Sequence, residues 1–277
     1  MRPAAGVSWA VHPQFGAAVG PALAAGRVEA VEWTVDAGFG GVPASIGAAL
    51  DAFGAAGRLY GHAIGYSPLS AGRTDHQRGW LAQLRADPRP YRHLSEHFGW
   101  FLGGPFVDGA PLPCPRTRDT VRIGQDNLRR LRDAAGCPVG LENLALATSA
   151  ADALDQGPFV AELLDAVDGF VHLDLHNLWC QEVNFGLEPE ALLARWPLDR
   201  VRVMHVSGGS WRAGVRRDTH DDDVPEPVWD RLAAVLPRVP ACEVVFVERI
   251  ATSFDAHRAA ESFARDFDHL RAVLGAE

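Results

Sequence analysis

Phe170-Val171-His172-Leu173-Asp174-Leu175-His176-Asn177-Leu178 begins as a strict alternation of apolar and polar residues. Successive side chains of a strand point to opposite faces, so His172, Asp174 and His176 share one face and Val171, Leu173 and Leu175 share the other. Helical patterns flank the run, Pro158–Val167 before it and Glu188–Trp196 after it. A strand that turns apolar residues toward neighbouring helices and polar ones away from them is a unit of a parallel β-α array.

Outward from this stretch the same unit recurs. Strand-like runs are expected at Val7–Val11, Val28–Val35, Leu59–Gly65, Tyr91–Gly99, Pro138–Leu144, Phe170–Leu178, Val201–Val206 and Cys242–Ile250. The other helical patterns are Ala44–Ala56, His76–Ala86, Arg118–Ala135, Pro227–Leu236 and Asp255–Leu274, with a weak first one of a turn or two around Pro21–Arg27. Eight such units predict an α/β fold, a closed TIM-type (β/α)8 barrel with its chemistry at the C-terminal ends of the strands. No linker or composition break interrupts the pattern, so residues 1–277 are expected to form a single metal-binding domain.

Composition removes several function classes. The net charge is −9 and no basic block exists, which argues against nucleic-acid binding, where phosphate neutralisation supplies most of the affinity. All 26 basic residues are arginine. Without lysine, Schiff-base chemistry, a P-loop and a lysine general base are excluded. Cys114, Cys137, Cys180 and Cys242 are scattered, with no C-x-x-C pair to suggest a zinc ribbon or thioredoxin-type site. No signal-peptide core and no run of about 18 apolar residues is present, so the expectation is a cytoplasmic protein with no membrane partner.

Polar residues crowd the strand ends. They are Glu32 and Asp36, His62, Glu96 and His97, Glu142-Asn143, Asp174 with His176 and Asn177, His205, the loop Asp218-Thr219-His220, and Glu248. Alternation places His93, Ser95 and His97 on one face with Glu96 opposite, and aligns Glu32, Thr34 and Asp36, and Val244, Phe246 and Glu248. A barrel brings these ends around one cavity. So many carboxylates desolvated together cost several kcal/mol each unless cations compensate them. Imidazole and carboxylate without thiolate suits Fe, Mn, Zn or Co. Glu142, between the strands of His62 and His97 and those of Asp174 and His205, is the candidate to bridge two ions.

The motifs together resemble the multinuclear non-haem iron-dependent oxidases, the family of the methanobactin-biosynthesis oxidase. Those carrying the likeness are Ser95-Glu96-His97, Leu112-Pro113, Glu142-Asn143, Leu173-Asp174-x-x-Asn177, Asn184, His205-Val206-Ser207-Gly208-Gly209, Asp218-Thr219-His220, Val224-Pro225 and Val228-Trp229. The resemblance implies two or three iron ions, mixed Fe(II)/Fe(III), and dioxygen as co-substrate. It implies that the enzyme modifies cysteine, or residues near it, in a ribosomally made precursor peptide. By the same resemblance His62, His97, Glu142, Asp174, His205, Asp218, His220 and Glu248 match metal-binding positions. Glu142, Asp174 and His205 then lie at the reacting centre, and Asn143, Asn177 and Asn184 are polar positions near the metals. The substrate thiolate would bind iron, leaving Cys180 a buried small hydrophobe. The chain departs from the family in reading His176-Asn177 where two adjacent asparagines are usual, which makes His176 an additional metal candidate. It also differs around His62-Ala63-Ile64-Gly65 and at Asp36. No appended domain for leader capture is visible, and a separate small leader-recognition protein is expected.

The main rival is a metal-dependent sugar or sugar-acid isomerase or epimerase of the xylose-isomerase-like class, which shares the Glu, Asp, His, Glu order on its later strands. A zinc-dependent phosphodiesterase acting on DNA is disfavoured by the negative charge. A non-catalytic scaffold has no use for so many interior carboxylates.

Overall fold

The barrel closes between the first and last strands of the chain. Ala4–Ser8 (β1) pairs in parallel with Val244–Glu248 (β12), with Ala4 opposite Val244 and Val7 opposite Val247. The computed structural model describes residues 2–39, 41–71, 74–103 and 106–276, without the side chains of 102–110; the rest of the 1–277 span lies outside the described residues. Between the closing strands come Ala30–Thr34 (β2), Leu59–Ala63 (β3), Leu94–His97 (β4), Val139–Glu142 (β7), Phe170–Asp174 (β8) and Val201–Ser207 (β9). Around the wall the order is β1-β2-β3-β4-β7-β8-β9-β12, with every pairing parallel. This is the eight-stranded barrel that the alternation predicts.

Two antiparallel hairpins stand outside it. Trp100–Gly103 (β5) with Phe106–Leu112 (β6) follows β4, and Trp211–Arg212 (β10) with Val215–Arg216 (β11) follows β9. The strand expectations did not include them. The helices are Pro13–Ala24 (α1), Val35–Gly38 (α2), Ala44–Ala55 (α3), Asp75–Ala86 (α4), Arg118–Ala135 (α5), Ala150–Leu164 (α6), Leu175–Phe185 (α7), Pro189–Leu193 (α8), Glu226–Val235 (α9) and Ala259–Val273 (α10). α5 shows why these boundaries fall where they do. Thr117 and Thr120 form a capping box at its start, and Gly136 ends it at φ 66°.

Several boundaries differ from the sequence expectation. β1 lies earlier, and the expected Pro21–Arg27 turn is a three-turn helix started by His12, whose ring accepts from the Gln14 amide, with Pro13 in its first turn. α6 begins eight residues before Pro158 because Ser149 caps it, and the helix tolerates that proline inside. β8 stops at Asp174, whose carboxylate accepts from the Asn177 amide at 2.6 Å, so His176 and Asn177 belong to a helix. Asp36 leaves the barrel as α2 begins and accepts from Trp80 Nε1 and the Ile64 amide instead.

Two cores divide the work. The larger lies between the wall and the helices. The smaller plugs the barrel floor with Ala30, Tyr60, Phe170, Val203, Val244 and Phe246. Gly140 makes room for that plug, since a Cβ there would meet the Phe170 ring at 2.5 Å and its carbonyl at 2.6 Å. Polar layers lie above.

At the floor Glu243 meets Arg92 at 2.6 Å and His93 at 3.0 Å. The His93 hydrogen bond, against burial and aided by Arg92, holds its carboxyl down to about 2 from 4.5. A depressed carboxylate contributes stability above its ordinary value and loses it as pH falls through the folded value. Glu243→Gln is therefore expected to melt below the parent protein at neutral pH. The gap should narrow between pH 4.5 and about 2, read by circular-dichroism melts across that range. A gap that persists unchanged at pH 2 would contradict the pairing.

Candidate metal centre

Register brings the donors to one level. His62 lies opposite Ser95, His97 opposite Glu142, Asp174 opposite His205, and Ser207 opposite Glu248. All of these side chains turn inward.

Two groups of donor atoms result. His62, His97 and Glu142 form one, and Glu142, Asp174, His205 and Glu248 the other, the atoms within each lying inside 4.8 Å of one another. Glu142 belongs to both. Its Oε2 is 3.2 Å from His62 Nε2 and 3.0 Å from His97 Nε2, while its Oε1 is 3.2 Å from His205 Nδ1. His205 Nδ1 is also 2.8 Å from Glu248 and 3.9 Å from Asp174. Asp218 and His220 adjoin this second group, with His220 Nε2 2.5 Å from Asp218 and Nδ1 3.4 Å from Glu248. His220 holds φ at 49°, an uncommon conformation for a residue with a Cβ, in a loop tied down by the Ile250 amide.

Donor directions test the fit to a cation. Both oxygens of Glu142, His205 Nδ1, Asp218 Oδ1, His220 Nε2 and Glu248 Oε2 are buried without a hydrogen-bond partner. They face one another at contact distance yet lack bond geometry, as atoms aimed at a shared point do. Buried polar atoms are ordinarily satisfied, so a group of orphans in one place calls for an ion. Among the described residues, the ion pairs of Glu142, Asp174 and Glu248 are all with imidazoles and none with arginine.

Proton affinities carry the same strain. Burial opposes charge on His62, but Glu142 outweighs it and pushes the imidazole up to about 9. Burial would raise Glu248, yet His220 and His205 hold it near 2. Asp174, buried beside Asp218 and Glu142, is pushed up to about 8. Without a cation this cluster must hold protons, and an incoming cation displaces them.

The asparagines are braces. Asn143 donates to the Asp174 carbonyl at 2.9 Å and accepts from its amide at 2.7 Å, and Asn177 donates to the Asn143 carbonyl. The Asn184 amide exchanges two 2.8 Å bonds with the Arg216 backbone, holding β11 against α7. His176 accepts from Arg216 Nε at 3.1 Å and faces Asp218 with its other nitrogen at 3.6 Å. Glu96 is buried on the opposite face of β4 and accepts from the His97 and Tyr66 amides. Arg216 escaped the sequence reading because its hairpin carries no alternation signal.

The closed parallel barrel with alternating helices is a TIM-type (β/α)8 fold, and solved structures share it. D-psicose 3-epimerase from Clostridium cellulolyticum H10 matches with a TM-score of 0.61 at 14% identity over 99% of both chains. A xylose isomerase domain protein from Alicyclobacillus acidocaldarius matches at 0.55 and 15% over 100% and 99%. At such identities the likeness concerns fold alone. The chain belongs to the family of RiPP precursor modification enzymes MbnB/TglH/ChrH, which matches residues 36–265. Relatives include a UPF0276 protein of Chromobacterium violaceum, 33% identical over 64% of this chain and 65% of the relative. A UPF0276 protein of Streptomyces avermitilis is 30% identical over 64% of this chain and 38% of the relative. The chain thus spans less than two thirds of those relatives. No helix among the described residues is long and apolar enough to cross a membrane.

Proposed function

We propose that this protein is a multinuclear non-haem iron-dependent oxidase that uses dioxygen to modify cysteine, or residues beside it, in a ribosomally synthesised precursor peptide. The shared Glu142 carries the reading, because one carboxylate whose two unpaired oxygens serve two donor groups suits a pair of ions. His62, His97 and Glu142 would hold one iron, and Glu142, Asp174, His205 and Glu248 the other. Asp218 and His220, with His176 beside them, would serve a third. Bound iron, in mixed Fe(II)/Fe(III) state, supplies the redox chemistry with dioxygen that side chains lack.

The chain's own residues do the remaining work. Asp174 spends one oxygen on capping α7 and keeps the other beside Ser207 and His205. Burial raises the Cys180 thiol, and Cys180 belongs to neither donor group, so in this reading the reacting sulfur is the substrate's. At the mouth the Arg216 guanidinium lies 4.6 Å from the centre of the Trp179 ring and 6.0 Å from that of the exposed Trp211, a rim on which a peptide can lie. A separate small leader-recognition protein belongs to the same reading. A sugar substrate has only the shared fold behind it.

Metal analysis of protein purified without oxygen tests the proposal. More than one iron per chain is expected, along with oxygen-dependent mass change of a cysteine-containing precursor peptide. Stoichiometric zinc or manganese with negligible iron would overturn it in favour of the isomerase reading.

A further inference from the structure

We infer that Glu32 and Ser95, one layer below the donor groups, make the two ion positions unequal, so that the carboxylate-rich position binds its ion more tightly than the His62/His97 position. The inference rests on the two-ion reading above. Each imidazole of the two groups has its far nitrogen tied to a partner, and the three partners differ. His62 Nδ1 meets the Ser95 hydroxyl at 2.9 Å, His97 Nδ1 the Ala63 carbonyl at 3.0 Å, and His205 Nε2 the Glu32 carboxylate at 2.7 Å. A ring that donates its far N–H presents its near nitrogen as a lone pair, so these bonds aim His62 Nε2, His97 Nε2 and His205 Nδ1 at Glu142. A carboxylate partner raises the basicity of its imidazole most, because it stabilises positive charge growing on the ring.

Charge then accumulates on one side. The His205 position has Glu142, Asp174 and Glu248 around it and Glu32 behind it. The His62/His97 position shares only Glu142 and has neutral partners behind both rings. Glu32 is 1% exposed, and among the described residues its only ion pair is with His205. Ser95 extends the layer. Its hydroxyl lies 2.9 Å from His172 Nδ1 as well as from His62, and also faces the Gly61 carbonyl at 3.5 Å. His172 Nε2 is a buried nitrogen without a hydrogen-bond partner, as Glu32 Oε1 is a buried oxygen without one. Donor atoms of Glu32, His172 and His205 all lie within 4.8 Å of one another. The two ligand sets are thus joined underneath by a polar layer absent from the donor groups themselves.

The test strips the purified protein of metal and titrates it with Co(II) under nitrogen against a competing chelator, reading the visible absorption of bound cobalt. The parent protein is expected to fill the two inner positions in separable steps, with any ion held by Asp218 and His220 counted apart from them. Glu32→Gln should weaken the tight step by roughly 10–100-fold, shift its absorption band and leave the weaker step within about threefold. Ser95→Ala should do the reverse, and Ser95→Thr, which keeps the hydroxyl, should restore the weaker step. Glu32→Gln weakening both steps equally, or neither, overturns the inference. Should that variant not fold, the Ser95 pair decides, and an unchanged weaker step in Ser95→Ala overturns it. Uptake of a single ion or none by the parent protein would instead defeat the two-ion reading.

Discussion

Glu142→Gln is expected to empty both inner ion positions at once and reduce peptide modification to background. Its two oxygens face different partners, Oε2 toward His62 and His97 and Oε1 toward His205. An amide keeps the shape but brings no negative charge and presents a donor where one oxygen stood, so one position meets an NH2 group and the other keeps only a neutral carbonyl oxygen. The loss in affinity should exceed the roughly 10–100-fold typical of removing an outer partner. Replacing His62 removes a donor from one position only. Ion content per chain, measured by elemental analysis on both variants, separates the cases. Equal loss of one ion from each variant would contradict a shared Glu142. Circular dichroism should show Glu142→Gln folded, because the barrel wall and its helices pack without that carboxylate.

A methyl group on Gly208 is expected to cost on the order of 100-fold in kcat while sparing the ions held by His62, His97 and Glu142. A Cβ at position 208 would lie 2.2 Å from the Asp223 carbonyl oxygen and 2.3 Å from that of Asp222. These are backbone atoms of the loop that returns from β9, so the loop itself must move. It carries Asp218 and His220, the latter already in a strained conformation. Gly209 is as confined, its Cβ position lying 2.2 Å from the Arg217 carbonyl oxygen and 2.8 Å from the His176 ring. Steady-state kinetics on Gly208→Ala, with ion content measured on the same sample, reads this out. An unchanged kcat would show that the loop's placement does not matter to the reaction.

Much of the centre was legible because a strand's alternation is local geometry. Glu32, His62, Ser95, His97, His172, Asp174, His205 and Glu248 all face inward from strands whose order needs no long-range information. Glu142 could be named as the candidate to be shared because its strand lies between two donor-bearing pairs, and it does belong to both donor groups. The expected strands ran too far where another local force competed. Asp36 and His176 continue their strands' alternation on paper, but the chain turns helical first, at Val35 and at Leu175, where Asp174 serves as cap. Asn184 bonds the Arg216 backbone of the second hairpin, which the sequence did not reveal because two-residue strands carry no periodicity.

The order of strands, the inward face of each and the chemical identity of the donors were therefore set by the amino-acid sequence alone, through periodicity and residue type. Which donors meet was decided only on closure. His205 reaches Glu32 from 173 positions away in the chain, and Glu142 divides its oxygens between two groups. Such meetings depend on how far each strand is staggered against the next around the whole ring, a property summed over eight pairings that no single segment contains.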